Sequence, residues 1–238
     1  MAEPSETSEV SVSFQRHNGF VSPECLPDVL NIIGVGATGS NVALIAAKMG
    51  FTRFRIWDHD HVEAHNLPNQ AYDLCHVGMP KVQALAEVLK RFNPDIEVEA
   101  NQTYFTAAEH GDDLEGPMIL TVDTMAAREE ITACFEGNIL IDTVMESRLG
   151  FDHGTVNIID CTSDKDLLEW NNSLLKDDEV PEGPCGLRIC TTMVGTVANF
   201  MVQQLCKKYS ALKTGAEWQP NKKTVFAFSD TGIDIYST

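Results

Sequence analysis

The sequence predicts a doubly wound α/β fold, in which a mostly parallel sheet is covered by helices on both faces and ends in antiparallel C-terminal strands. Two observations predict this class. Apolar segments of strand length alternate with segments of helix length over the first 150 residues, and such alternation is typical of parallel sheets. A glycine-rich turn at residues 34–39 also joins the first apolar segment to the first helical one, which is how many such sheets begin.

The elements of the parallel part follow in order. Apolar segments predict strands at residues 29–35, 54–57, 96–100, 118–122 and 139–144. Helical patterns between them predict helices at residues 40–49, 81–92 and 124–135. Because the strand segments are largely apolar rather than alternating, both faces of these strands are expected to be buried.

The pattern changes after about residue 150. A charged segment at residues 163–190 contains helix breakers, so we expect a crossover-type loop with a short helix near residues 167–175. The surrounding segments predict one strand, one long helix and two short antiparallel strands, at residues 154–160, 191–207, 225–228 and 233–236 respectively.

Length and charge narrow the class of protein. The 238 residues fit one domain, expected at residues 13–238 after a flexible segment at residues 1–12. The chain carries 17 basic and 35 acidic side chains, a formal charge of −18, which argues against binding to nucleic acid or an anionic membrane. No run reaches the roughly 18 apolar residues of a membrane span. Seven scattered cysteines without a C-x-x-C pair favour reduced thiols, so we expect a cytoplasmic protein.

The glycine-rich turn predicts a nucleotide site. Gly34, Gly36 and Gly39 have the G-x-G-x-x-G spacing. In this motif the first glycine permits the turn, the second lets a phosphate approach the backbone, and the third lets the helix pack on the strand. The helix N-terminus then faces an anion. Asp58 ends the second predicted strand, nineteen residues after Gly39, where a carboxylate accepts hydrogen bonds from ribose hydroxyls.

The polar connection between residues 58 and 81 indicates which class of nucleotide-binding protein this is. It is far longer than the roughly two to six residues usual in such units, and long loops at this edge of a sheet often carry function. In order, this region contains Asp58-x-Asp60-x-Val, Asn66-Leu-x-x-Gln70 and Val77-Gly-x-x-Lys81, followed by Asn93-Pro94. This ordered set resembles the ThiF/MoeB/HesA family, whose members are adenylating enzymes related to ubiquitin-activating enzymes, and the resemblance spans residues 29–205.

The resemblance implies a Rossmann-like adenylyltransferase. Such an enzyme activates the C-terminal carboxylate of a small ubiquitin-like or sulfur-carrier protein with ATP, and it releases pyrophosphate. Asp58 is expected at the ribose, Asn66 at the phosphate or ribose region, and Lys81 at the phosphates, where a fixed cation stabilises developing negative charge. The remaining nucleotide contacts are expected from Gly34, Gly36, Ala37, Thr38, Gly39, Asp60, Asn69 and Gln70.

Two further residues match positions of the family pattern. Asp123 lies after a predicted strand and at a helix start, where the resemblance implies a magnesium ligand. An aspartate there is equally expected as a helix N-cap, and both roles can hold together. Arg148 matches a family arginine and is expected to be structural rather than catalytic.

The sequence also departs from the family pattern. Asn69 replaces the arginine of the N-L-x-R-Q motif, so one cation expected over the triphosphate is missing. The resemblance implies a homodimer in which an arginine from the neighbouring subunit completes each site. Arg16 is the candidate for that role; otherwise a nearby histidine compensates, or adenylation is weak or lost. The paired C-x-x-C motifs of many members are absent, so we expect no structural zinc.

The candidate for a nucleophilic cysteine lies in the segment before the long helix. Members that form thioesters or persulfides carry a cysteine there, which makes Cys185 the candidate nucleophile, while Cys190 lies closer to the helix and can simply begin it. Such a thiol should be exposed and have a lowered pKa.

Three other interpretations stay open. The glycine spacing alone also fits an NAD- or FAD-dependent oxidoreductase, although such an enzyme has no need of the Asn66 and Lys81 pair. A nucleotide-binding module that has lost turnover is favoured by Asn69 and by the missing C-x-x-C motifs. Finally, Lys81 alone could begin a helix with its amine in solvent. The three histidines of the long loop are expected to be solvated rather than bound to a metal, namely His59, His61 and His65.

Overall fold

The computed structural model describes residues 11–111, 114–132, 134–135, 138–150, 152–174, 190–230 and 232–237. Within them, eight strands form one sheet of order β3-β2-β1-β4-β5-β6-β7-β8. The strands are β1 (Leu30–Ile33), β2 (Arg53–Trp57), β3 (Glu97–Asn101), β4 (Met118–Leu120), β5 (Val144–Leu149), β6 (His153–Ile159), β7 (Lys223–Ser229) and β8 (Gly232–Ser237). The helices are α1 (Ala37–Met49), α2 (Lys81–Phe92), α3 (Ala107–His110), α4 (Met125–Thr132), α5 (Asp164–Asn171) and α6 (Thr191–Thr214).

The sheet has the predicted mixed topology. The first five strands pair in parallel, and β5 to β8 pair antiparallel. Antiparallel strands need only short connections, whereas parallel strands need crossovers. The sequence-based prediction of a mostly parallel sheet that ends in antiparallel strands is therefore confirmed.

Helices cover both faces of the sheet. Along β1, Ile32 belongs to the core under α1, α2 and α6, whereas Ile33 belongs to the core on the opposite face. Successive side chains of a strand point to opposite faces, so this apolar strand is buried on both sides. Because β1, β2 and β4 are neighbouring parallel strands, their C-terminal ends lie at the same edge of the sheet. Open α/β sheets bind ligands at this edge.

The largest error of the sequence-based prediction concerns the fifth strand. The predicted strand at residues 139–144 is wrong, because β5 spans Val144–Leu149 and Ile139 is 83% exposed. The true strand contains Glu146 and Arg148, which interrupt its apolar pattern. Their charges are satisfied by an ion pair with each other inside the protein, which the one-dimensional pattern cannot show.

Helix boundaries also differ from the prediction. The first helix begins at Ala37 rather than at residue 40, so Gly39 lies inside α1. The short helix begins earlier than predicted because Ser163 caps it, its side chain accepting a hydrogen bond from Asp166 N. The last helix continues to Thr214 and ends at Gly215, which has a φ of +70°. Residues 175–189, which include Cys185, lie outside the described part of the chain.

Among the helices that the structure describes, none combines the length and the apolar character needed to cross a membrane.

Candidate active site

A cavity of about 450 Å³ lies at the C-terminal ends of β1, β2 and β4. It brings together seven of the residues predicted from sequence, which are Gly34, Gly36, Asp58, Asp60, Gln70, Lys81 and Asp123. Ala37, Thr38 and Gly39 occupy the adjoining first turn of α1. The topology thus places the glycine turn, the long polar loop and the α4 start around one cavity.

Glycine occupies the three positions of the turn for different physical reasons. Gly34 has a φ of +85°, and a Cβ there would lie 2.9 Å from Thr121 O. A Cβ at Gly39 would lie 2.0 Å from Gly34 O, so the close approach of α1 to β1 requires glycine. For a Cβ at Gly36, the nearest described atom is Gln70 Nε2 at 4.0 Å. The first and third glycines therefore serve the fold, and the second leaves space for a ligand.

Alanine substitutions should separate these roles. Gly39→Ala is expected to lower the free energy of unfolding by about 1–3 kcal/mol, because the new methyl group overlaps backbone. Gly36→Ala should change that free energy by less than about 0.5 kcal/mol while weakening the binding of ATP. Denaturant unfolding and calorimetric ATP titration check both. Equal destabilisation by the two substitutions would contradict the assignment.

Asp58 connects the end of β2 to the glycine turn. Its Oδ2 accepts a hydrogen bond from Val35 N at 2.9 Å, and its Oδ1 accepts one from Asp60 N at 2.9 Å. A carboxylate has about four acceptor positions, so each oxygen can still accept from a ligand hydroxyl. The side chain is thus fixed in place and retains the capacity to bind a ribose.

Lys81 begins α2 and is only 7% exposed. Its Nζ lies 2.7 Å from Asp60 Oδ2, and Asp60 Oδ1 lies 3.1 Å from His59 Nε2. Partial burial alone would raise the pKa of Asp60, but the hydrogen bond and charge of Lys81, helped by His59 and His61, outweigh it and lower that pKa. The ammonium therefore lies at the pocket, paired with a carboxylate, and the alternative of a solvated amine does not hold.

Besides Ala37, Thr38 and Gly39, three more predicted residues in the described part of the chain do not line the cavity. Asn66 Oδ1 accepts a hydrogen bond from Glu63 N at 3.0 Å and closes the short 3-10 helix Ala64–Asn66. Asn69 Oδ1 accepts one from Thr191 Oγ1 at 2.6 Å, which joins the long loop to the start of α6. Arg16 is exposed in a 3-10 helix near the N-terminus.

Asp123 lines the cavity with an exposed side chain. The N-cap role belongs to its neighbour, since Thr124 Oγ1 accepts a hydrogen bond from Ala127 N at 3.2 Å. The carboxylate of Asp123 is thus not needed to cap α4. It supplies the hard oxygen donors that magnesium prefers.

A buried ion-pair network lies behind the wall that carries Asp123. Glu146 is fully buried, and its Oε1 lies 2.9 Å from both Arg128 Nη1 and Arg148 Nε. Arg128 also donates to Val122 O in the pocket wall. Arg148 donates to Ser173 O at 2.8 Å and to Ser173 Oγ at 2.9 Å. Arg148 thus connects β5 to the segment after α5, as expected of an arginine with a structural role.

Sequence reasoning missed the aromatic side of the pocket. Thr103, Tyr104 and Phe105 follow β3 and line the cavity together with Trp57. The rings of Trp57 and Phe105 meet edge to face at 5.3 Å. The available signal was an aromatic pair directly after a predicted strand, at the edge where ligands bind.

Cys190 is the N-cap residue of α6, and its Sγ lies 3.0 Å from Thr192 Oγ1. Hydrogen bonds from the Thr192 side chain, and then from the backbone of Thr192 and Met193, lower the pKa of Cys190 against a small opposing effect of burial. Three other thiols behave in the opposite way, since burial raises their pKa to about 12, namely Cys134, Cys161 and Cys206.

The pH dependence of alkylation should report the Cys190 environment. A lowered pKa means more thiolate at a given pH, so iodoacetamide should label Cys190 with a midpoint below that of an ordinary thiol. Thr192→Val should move the midpoint upward, whereas Thr192→Ser should preserve it. Mass spectrometry of the labelled peptides measures both. An identical midpoint in the valine and serine variants would refute the role of the hydroxyl.

Two groups of described side chains are close enough together to share a metal ion, Asp58-His59-Asp60 and Asp73-Cys75-His76. The second group already contains a cation, because Arg91 Nη1 lies 2.9 Å from Asp73 Oδ2. In addition, His76 Nδ1 accepts a hydrogen bond from Asp73 N at 2.9 Å, and His76 Nε2 lies 3.4 Å from Arg91 Nη2. Both ring nitrogens of His76 therefore already face donors of the protein.

Comparison with known proteins gives matches over most of the chain. A sequence profile described as the ThiF family matches residues 29–233. The chain is 29% identical over 198 residues to ubiquitin-like modifier-activating enzyme 5 of Rattus norvegicus, covering 74% of this chain and 48% of that protein. The corresponding protein of Drosophila ananassae is 27% identical over 220 residues, covering 82% and 54%. The chain thus spans about half the length of these curated relatives.

Solved structures show the same fold. PaaA superposes with a TM-score of 0.68 at 21% identity, covering all of this chain and 77% of that one. The E. coli tRNA N6-threonylcarbamoyladenosine dehydratase TcdA in complex with AMP gives 0.62 at 18% identity, covering 81% and 90%. E. coli MccB with ATP gives 0.64 at 16% identity, covering 91% and 65%.

Proposed function

Because this chain belongs to the ThiF family of E1-like adenylyltransferases, we propose that it uses ATP to adenylate the C-terminal carboxylate of a small ubiquitin-like or sulfur-carrier protein. The observation that carries the proposal is the buried ammonium of Lys81, held by Asp60 at the cavity that also contains Gly36 and Asp58. A nicotinamide or flavin enzyme has no evident use for a buried cation at this position.

The reaction is a nucleotidyl transfer. A carboxylate oxygen of the carrier attacks the α-phosphorus of ATP and forms a new P–O bond. The bond from the α-phosphorus to the oxygen bridging to the β-phosphorus breaks, and that oxygen leaves with pyrophosphate. The products are an acyl adenylate and pyrophosphate, with no oxidation or reduction. Negative charge grows on the phosphate oxygens as the bond breaks.

The residues of the cavity suit the successive parts of this substrate. The open space at Gly36 and the N-terminus of α1 suit the phosphates. The free acceptor positions of Asp58 suit the ribose hydroxyls. The Lys81 ammonium suits the phosphate oxygens on which charge develops, and a preorganised charge in such a place is often the largest single catalytic contribution.

Magnesium fits the donor set of the cavity. Asp123 would hold it, because its carboxylate is exposed on the pocket wall and is not used as a helix cap. A bound Mg²⁺ supplies charge neutralisation on the triphosphate.

The homodimer and the thiol step belong to the same proposal. An arginine from a neighbouring subunit would replace the cation lost at Asn69, and Arg16 is the candidate because it is exposed. After adenylation, a thiol would accept the acyl group and release AMP. Cys185 is the candidate from the family pattern, and Cys190 is a second one because its pKa is lowered.

Thermal shift with different nucleotides gives the first test. At about 100 times its dissociation constant, ATP with Mg²⁺ should stabilise the protein by roughly 2.7 kcal/mol, whereas NAD(H) should not. Stabilisation by NAD(H) alone would reject the adenylating function in favour of an oxidoreductase. Exchange of labelled pyrophosphate into ATP, assayed with a panel of small ubiquitin-like proteins, then tests the chemistry.

A second candidate function is a nucleotide-binding module without turnover. Asn69 favours it, because its side chain is engaged by Thr191 and carries no charge. Tight ATP binding without pyrophosphate exchange, for every carrier tried, would support the module.

A further inference from the structure

An aromatic pair in the lining of the cavity is not explained by the family motifs. Tyr104 follows β3, and its ring stacks on that of His59 with centroids 3.8 Å apart and planes inclined by 21°. Both residues line the same cavity as Gly36 and Lys81. Tyr104 is 66% exposed, so much of its ring surface is accessible to a ligand.

Packing of the core does not require a tyrosine at this position. The neighbouring Phe105 is 7% exposed and Trp57 is 3% exposed, and these two rings form the apolar contact beneath the cavity. A large ring left in solvent at the edge of a cavity gains little from the hydrophobic effect. Its position is better suited to contact with a planar ligand.

The order of groups along the cavity indicates which part of a nucleotide reaches Tyr104. Phosphates at Gly36 and a ribose at Asp58 direct the base away from the glycine turn. On that side β2 and β3 end together, since Asp58 N donates a hydrogen bond to Asn101 O. Residues 103–105 follow immediately after β3 and line the cavity there.

We propose that Tyr104 and His59 form a nucleobase shelf, on which the purine ring of the nucleotide stacks. The inference rests on the proposed function, because it takes the phosphates at the glycine turn and the ribose at Asp58 as given. The shelf is connected to the phosphate end, since His59 contacts Asp60, which holds Lys81. Stacking recognises the planar face of a base rather than its hydrogen-bonding edge.

Calorimetric titration of two tyrosine variants with two ligands tests the shelf. Tyr104→Ala should raise the Kd of ATP about 5- to 160-fold, the range found when a stacking aromatic is removed. Tyr104→Phe keeps the ring and should change the Kd less than about 2-fold. Inorganic tripolyphosphate has no base, so both variants should bind it as the wild type does.

Each contrary outcome points to a different failure. If Tyr104→Ala binds ATP as tightly as the wild type, the shelf does not exist. If it weakens ATP and tripolyphosphate equally, Tyr104 supports the pocket instead of contacting a base, and the inference is overturned. If the wild type binds neither ligand, the proposed function fails together with the shelf.

Discussion

Lys81→Met is expected to reduce carrier-dependent pyrophosphate exchange by about 10²–10³-fold, the usual effect of removing one preorganised group that stabilises charge in a transition state. The side chain is buried at the start of α2 with its Nζ on Asp60. Methionine has a similar length and an apolar end, so the main loss is the positive charge. Asp60 is half exposed, and its loss of a partner should therefore cost about 1 kcal/mol of stability or less.

The matched control is Lys90→Met, which removes an exposed ammonium from the last turn of the same helix. It changes the net charge equally and lies away from the cavity, so exchange should stay within about 2-fold of the wild type. Similar losses of activity in both variants would show that Lys81 acts only through overall charge. Full activity of Lys81→Met would remove Lys81 from the mechanism.

Glu146→Gln is expected to lower the free energy of unfolding by about 3–5 kcal/mol, because it removes the buried negative charge that pairs with both Arg128 and Arg148. Glu146 is fully buried, and Arg128 is 4% exposed. For a domain of this size the loss corresponds to a decrease in Tm of roughly 6–20 °C. Denaturant titration and calorimetry measure both quantities.

Glu99→Gln provides the same chemical change at an ion pair whose carboxylate is exposed, although its partner Arg55 is only 18% exposed. Glu99 Oε2 lies 3.2 Å from Arg55 Nε, and its side chain is 56% exposed. Water and salt screen such a pair, so the substitution should cost about 1 kcal/mol or less. If Glu146→Gln lowers the free energy of unfolding no more than Glu99→Gln does, the buried ion-pair network contributes no more to stability than the Arg55–Glu99 pair.

The elements that the sequence predicted well are those in which local pattern and tertiary role agree. The segment that forms β1 is apolar throughout and is buried on both faces, as expected. Gly34 and Gly39 are required by backbone geometry that their spacing already implies. In the same way, Lys81 both begins a helix and faces the cavity.

The errors arise where long-range contacts decide the structure. The pattern hides β5 because Glu146 is buried against two arginines, one of them from a different element. Asn69 looks like a ligand group in the motif, and its side-chain oxygen accepts a hydrogen bond from Thr191, which lies 122 residues away in the sequence. Such a partner is known only after the chain has folded, so no local pattern identifies it. The nucleotide contacts expected of Asn66 and Asn69 stay predictions.

A crystal structure of the protein with ATP and Mg²⁺ would show which residues hold the triphosphate. We expect the triphosphate to lie over Gly36, with the ribose on Asp58 and with Lys81 Nζ within hydrogen-bonding distance of a phosphate oxygen. A nucleotide bound with its phosphates away from both Gly36 and Lys81 would contradict this expectation.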